Sequence, residues 1–284
     1  MKFRERRRVD TVIISDVHLG TYGCHAQELL RYLRSVAPRR LILNGDIIDG
    51  WQFSRSYFPT DHIRVVRELL KLMAKDVEVW YIAGNHDEFM RRFIGQDLAN
   101  LHIDNKVVLE LDGRKAWVFH GDVFDVSMRH SRFVARLGGH GYDMLILLNR
   151  AVNHVLLKMG REKISLSKRI KDSVKAAVQF VDDYEDTAVH LGADQGYDYV
   201  VCGHIHRPAM KELMVDGRPI AYLNSGDWVE NLTALEYDCG QWRLYRYADD
   251  AALHHDDNED DTDAALSSKE IFINLSREFR MRTA

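Results

Sequence analysis

Five short segments each close an apolar run with residues that carry metal-type ligand atoms: Asp16-Val17-His18, Gly45-Asp46, Gly84-Asn85-His86-Asp87, His120-Gly121-Asp122 and Gly203-His204-Ile205-His206. A fold that satisfies this chain must bring these five run ends to one edge. Short apolar runs with such ends read as buried strands whose carboxyl ends share a site.

The first half supplies the strands. Thr11–Ser15 is β-branched and apolar, and residues 26–36 carry Leu29, Leu30, Leu33 and Val36 at helical spacing. Leu41–Leu43 is a second strand, Ile63–Met73 a second amphipathic helix and Val77–Ile82 a third strand. This alternation predicts parallel pairing in an α/β fold. The second half reads as hairpins. Asp112-Gly113 and Asp216-Gly217 each separate two strand-like runs, and Asp238-Cys239-Gly240 separates Thr233–Tyr237 from Trp242–Tyr247; Asp-Gly is a strong hairpin signal. The expected architecture is α/β, with two packed mixed β-sheets flanked by helices.

Residues 127–180 interrupt the hairpins. Arg129, Arg132, Arg136, Lys158 and Arg169 there accompany Leu145, Ile146, Leu148 and Leu156. The segment is expected to be a helical insertion, either an ordinary packed pair or a basic, apolar lid. The main domain is expected over residues 1–248. An acidic linker should follow from Asp249, then a segment over 269–282 with Ile271, Phe272, Leu275 and Phe279 on one helical face. Such a face suits a membrane surface or a partner, or simply docking on its own domain.

Length and composition set outer bounds. The 284 residues and 46% hydrophobic content allow one large domain with an insertion. A net charge of −4 does not favour nucleic acid, and no basic run interleaved with stacking aromatics is found outside the insertion. The three cysteines have no C-x-x-C spacing, which points to a reducing compartment. The basic start lacks a signal-peptide core, so a cytoplasmic protein is expected, with contact to a membrane surface left open.

Oxygen and nitrogen ligands without thiolate suit Mn²⁺, Fe²⁺ or Zn²⁺. Asp46 stands alone at its strand end and is the natural carboxylate to bridge two ions. Asp16 and His18 lie two apart, so an extended segment would point both to one ion, and His204 and His206 share that spacing. Asn85 offers an amide oxygen and His120 an imidazole. Asp87 has a plainer reading as a helix cap, and Asp122 reads either as an acceptor behind a histidine or as a turn residue.

Together the motifs resemble those of the calcineurin-like metallophosphoesterase superfamily: D-x-H, G-D, G-N-H-D/E, H and G-H-x-H. The resemblance implies an αββα sandwich holding two divalent ions, most commonly Mn²⁺. It places Asp16, His18, Asp46 and His206 on one ion, and Asp46, Asn85, His120 and His204 on the other. It makes His86 the general acid or transition-state stabiliser, with Asp87 orienting it. The nearest resemblance is to bacterial UDP-2,3-diacylglucosamine diphosphatases of lipid A synthesis, through Asp46-Ile47-Ile48-Asp49 with Trp51, His120-Gly121-Asp122 and Gly203–Pro208. That family implies a nucleotide-diphosphate lipid as substrate, a lid for acyl chains and work at the inner face of the inner membrane. His86 departs from the Arg common in those enzymes. A relative acting on another phosphodiester and a non-catalytic metal-binding scaffold are the competing expectations.

Overall fold

The computed structural model describes residues 6–51, 58–126 and 181–254. The expected insertion and the C-terminal amphipathic segment lie outside the described residues.

The first sheet is built from β1 (Arg7–Ile14), β2 (Val36–Asn44) and β3 (Glu78–Ile82), paired in parallel. Helices α1 (Ala26–Ser35) and α2 (Thr60–Met73) make the crossovers. Two short strands, β4 (Asp97–Leu98) and β5 (Leu101–Asp104), extend one edge. The second sheet contains β6 (Lys106–Leu111), β7 (Arg114–Phe119), β8 (Tyr199–Cys202), β9 (Ala209–Val215) and β10 (Arg218–Asn224). The chain then returns to the first sheet with β11 (Thr233–Asp238) and β12 (Gln241–Arg246). The orders are β12-β11-β1-β2-β3-β5-β4 and β6-β7-β8-β10-β9.

Period-two alternation explains the layering. Along β1, Ile13 faces inward and packs with Ile42, Ile82, Val118, Val201, Leu223 and Leu235 between the two sheets. Val12 and Ile14 face outward and are covered by Leu29, Leu33, Val65 and Leu72 from α1 and α2. The outer face of the second sheet, with Val200, Cys202 and Tyr222, is covered by Tyr184, Ala188 and Val189. These come from α3, helical over residues 181–194. Four layers result, in the expected αββα order.

Some expectations are corrected. β1 begins at Arg7, well before Thr11, because the Arg7 guanidinium makes two 2.7 Å bonds to buried Glu236 on β11. β2 begins at Val36, directly after α1, so Val36 belongs to the strand. The third hairpin turns on Cys239-Gly240 alone, both with positive φ, and Asp238 stays in β11. Residues Ala251–His254 form a helical turn with Leu253 buried in the first core, so the fold runs past the expected start of the linker at Asp249.

The carboxyl ends of β1, β2, β3, β7 and β8 lead into the five motif segments. The β1 and β2 extensions run side by side: Asp16 N–H donates to Gly45 O (3.1 Å), and Val17 and His18 N–H both donate to Asp46 O (3.0 and 2.9 Å). Gly203 N–H donates to His120 O (2.9 Å) and ties the β7 and β8 extensions together. The sheets thus deliver all five segments to one edge.

Candidate active site

The chain converges in a way that alternation along a strand does not provide. Asp16, His18, Asp46, His204 and His206 have φ of 52°, 54°, 54°, 68° and 53°. All five occupy the left-handed region, at a typical cost of about 1–3 kcal/mol each where context must enforce it. The expectation that Asp16 and His18 align on an extended segment is therefore corrected: kinked backbone turns them inward. The same holds for His204 and His206, which do not face one common point. His206 lies with Asp16 and His18, whereas His204 lies with Asp46 and His120, each trio having ligand atoms within 4.8 Å of one another. His86 forms a further group with His18 and Asp46.

Two glycines make this closeness feasible. A Cβ on Gly203 would stand 2.7 Å from Ser15 Oγ and 2.8 Å from Asp16 Oδ2, and one on Gly84 would overlap Asp46 Oδ1. Larger residues at either place would displace a carboxylate.

The imidazoles are oriented by oxygen atoms behind them. His120 Nδ1 meets Asn44 O at 2.9 Å, which makes Nδ1 the protonated nitrogen and leaves the Nε2 lone pair facing Asp46 Oδ2 at 3.3 Å. His86 Nδ1 meets Asp49 Oδ2 at 2.9 Å, and His18 Nδ1 lies 3.4 Å from the same oxygen. His18 Nε2 and His206 Nε2 face each other at 3.4 Å, and His206 Nε2 is 3.2 Å from Asp16 Oδ1.

These contacts test whether the residues fit metal ions. Asp16 Oδ1, Asn85 Oδ1 and His120 Nε2 are buried and have no hydrogen-bond partner among the described residues. Leaving such atoms unpaired costs about 1–3 kcal/mol each. Such buried lone pairs, and the His18 and His206 Nε2 atoms that face each other at 3.4 Å, are satisfied by cations. The donor set fits two hard or borderline dications.

Electrostatics agree. Burial opposes charge on His120, yet the Asp46 carboxylate beside it raises the imidazole to about 10. Burial likewise opposes charge on His206, but Asp16 raises it to about 9. Asp46 is held down to about 2 by His120 against its own burial. Asp16 is held below the usual carboxylate range by His206, again against burial. The site thus concentrates negative charge that protons neutralise when no metal does.

Asp87 has a different part from the one expected. It is fully buried, and its carboxylate accepts from Gly84 N–H (2.6 Å), Ile47 N–H (2.8 Å) and Tyr81 OH (2.6 Å). It braces the loop that carries Asn85 and His86. The side chain bonded to the His86 ring is Asp49, so the orienting role expected of Asp87 is corrected to Asp49. The Asp46-Ile47-Ile48-Asp49 spacing held the available signal. His86 N–H also donates to Asp46 Oδ1 (2.8 Å), and Trp51, 57% exposed, lies over the His86 ring with centroids 4.1 Å apart. Asp122, left open between an acceptor behind a histidine and a turn residue, accepts from Arg91 at 2.5 Å.

The profile of the calcineurin-like phosphoesterase family matches residues 10–208. The chain belongs to the calcineurin-like phosphoesterase family. With its αββα fold, it is a metal-dependent phosphoesterase. UDP-2,3-diacylglucosamine hydrolase of Stenotrophomonas maltophilia (strain K279a) is 26% identical over 242 residues, covering 82% of this chain and 97% of that protein. The enzyme of the same name from Aeromonas salmonicida (strain A449) is 26% identical over 264 residues, covering 88% and 100%. A structure of an archaeal phosphodiesterase covers 83% of this chain and 98% of its own at 16% identity, with a TM-score of 0.38, a likeness too distant to place a side chain.

Proposed function

We propose that the chain hydrolyses the diphosphate of UDP-2,3-diacylglucosamine, a nucleotide-diphosphate lipid, to UMP and 2,3-diacylglucosamine 1-phosphate with two divalent ions. Mn²⁺ is the first candidate, and Fe²⁺ or Zn²⁺ also suits the donors. Asp16, His18, Asp46 and His206 would hold one ion, and Asp46, Asn85, His120 and His204 the other. The observation that carries the metal reading is that Asp16 Oδ1, Asn85 Oδ1 and His120 Nε2 are buried without a hydrogen-bond partner, Asp16 and His120 each within a trio of ligand-type atoms. The substrate reading is supported by relatives of that name whose similarity extends over 97–100% of their own length.

Bound dications polarise phosphoryl oxygens and acidify water, which is what in-line displacement at phosphorus requires. The chain's own residues supply the rest. Water forms a new P–O bond, the bridging P–O bond breaks, and its electron pair leaves on the bridging oxygen. His86, held at Nδ1 by Asp49, has Nε2 available to steady the developing charge or give that oxygen a proton. Asp46 Oδ1 accepts from the His86 backbone N–H, which ties the acid to the metal-side carboxylate. The basic and apolar composition of residues 127–180 supports a substrate with acyl chains drawn from a membrane surface. No described helix is long and apolar enough to cross a membrane.

A second reading is favoured by His86 itself, which stands where the lipid A enzymes commonly have Arg. A wider phosphodiester hydrolase would use the same site. The test is product formation from UDP-2,3-diacylglucosamine with Mn²⁺ and with chelator, alongside bis-p-nitrophenyl phosphate. Rapid Mn²⁺-dependent UMP release is expected. Cleavage of the generic diester alone would refute the lipid substrate and retain the hydrolase.

A further inference from the structure

The turn after β10 contributes no proposed ligand, yet it holds two of them. Trp228 N–H donates to Asp16 O at 3.1 Å. The Asn231 side-chain amide donates to His206 O at 3.0 Å and to Asp227 Oδ2 at 2.5 Å. Asp227, between them, is fully buried.

The two oxygens of Asp227 have separate duties. Oδ1 accepts from the backbone N–H of Val229 (2.8 Å), Glu230 (2.5 Å) and Asn231 (3.1 Å), which closes the turn. Oδ2 is not needed for that. It faces His206 Nδ1 at 3.9 Å, while Nε2 of the same ring faces Asp16 Oδ1 at 3.2 Å. At 3.9 Å the link is an electrostatic attraction and not a hydrogen bond. It still favours the imidazole tautomer that carries its proton on Nδ1 and turns the Nε2 lone pair inward. Carboxylates behind a ligating histidine commonly have this effect.

We propose that Asp227 is a positioning residue for one metal site only, the site of Asp16, His18 and His206. The inference rests on the two-metal reading above. The selectivity follows from topology. His120, in the other trio, is held by Asn44 O from β2, outside this turn.

The experiment compares the wild-type chain with Asp227→Asn, measuring Mn²⁺ stoichiometry and the two affinities by equilibrium dialysis against a competing chelator, with thermal melting in parallel. An amide oxygen can still accept the three backbone N–H groups, but the amide nitrogen would face the Asn231 donor where Oδ2 accepted, so the melt should fall with the fold retained. One ion should be held as in the wild type and the other about 10- to 100-fold more weakly. Asp227→Ser, whose hydroxyl can still accept from the turn's N–H groups but supplies no oxygen toward His206, should weaken the same ion and leave the other unchanged. This second variant decides the matter if Asp227→Asn does not fold. Two ions retained at wild-type affinity, or both weakened alike, would overturn the proposal. A wild-type chain that holds fewer than two ions would instead refute the two-metal reading.

Discussion

At the scale of single residues, Asp49 and Asp87 separate two jobs that sequence spacing merges. Asp49 touches the rings of His86 and His18, whereas Asp87 touches two backbone N–H groups and Tyr81. Asp87→Ala leaves those three donors unpaired in a buried place, at about 1–3 kcal/mol each. Urea denaturation should therefore show a loss above about 2 kcal/mol. His86→Gln should lower kcat about 10²- to 10⁴-fold, the usual range for a proton-transfer group. Its Mn²⁺ content should be unchanged, and a matching loss of metal would instead make His86 a ligand. The Asp and His residues that gather at the site were legible in the sequence because such residues at strand ends have few other reasons to cluster. Partner choice was not legible. Which carboxylate meets which imidazole depends on loop paths set by left-handed residues at 16, 18, 46, 204 and 206.

At the scale of elements, the site depends on how closely loops approach. Gly203 backs directly onto Ser15 and Asp16. Gly203→Ala should push the Asp16 carboxylate aside and cost at least about tenfold in metal affinity, within the range of lost support behind a ligand. Dialysis against a chelator would reveal it, and wild-type affinity would show that the loop yields freely. The parallel strands and Asp-Gly hairpins were readable because apolar alternation and turn chemistry act locally. Residues Arg7–Asp10 of β1 were not, since their place depends on a 229-residue separation between Arg7 and Glu236. Strands β4 and β5 were missed because two to four residues carry too little pattern to register.

At the scale of the whole molecule, α2 is pinned to the site edge by His62, whose Nδ1 accepts from Gly20 N–H at 2.9 Å. Burial lowers this imidazole to about 4 from its ordinary 6.5. Above pH 6.5 it is neutral in folded and unfolded chains alike. Below that, the unfolded chain takes up the proton first, so stability falls from pH 6.5 down to about 4. Denaturation midpoints in chelator should drop over that window, and less so in His62→Gln. An equal drop in both would assign the acid sensitivity to other groups. The layered fold could be foreseen because each sheet must cover two faces with the helices available. Continuation of the fold to Leu253 could not, since a lone leucine in an acidic stretch carries no periodicity.

The most direct test of the account is Asp46→Asn, with Mn²⁺ content and diester turnover measured on the same preparation. Asp46 is shared between the two proposed sites, and an amide keeps its hydrogen-bonding shape without its charge. Several kcal/mol of charge stabilisation should be lost, or at least about a hundredfold in kcat. Both ions should be held more weakly, with the circular dichroism of the folded chain retained. Wild-type turnover in that variant would contradict the two-metal mechanism.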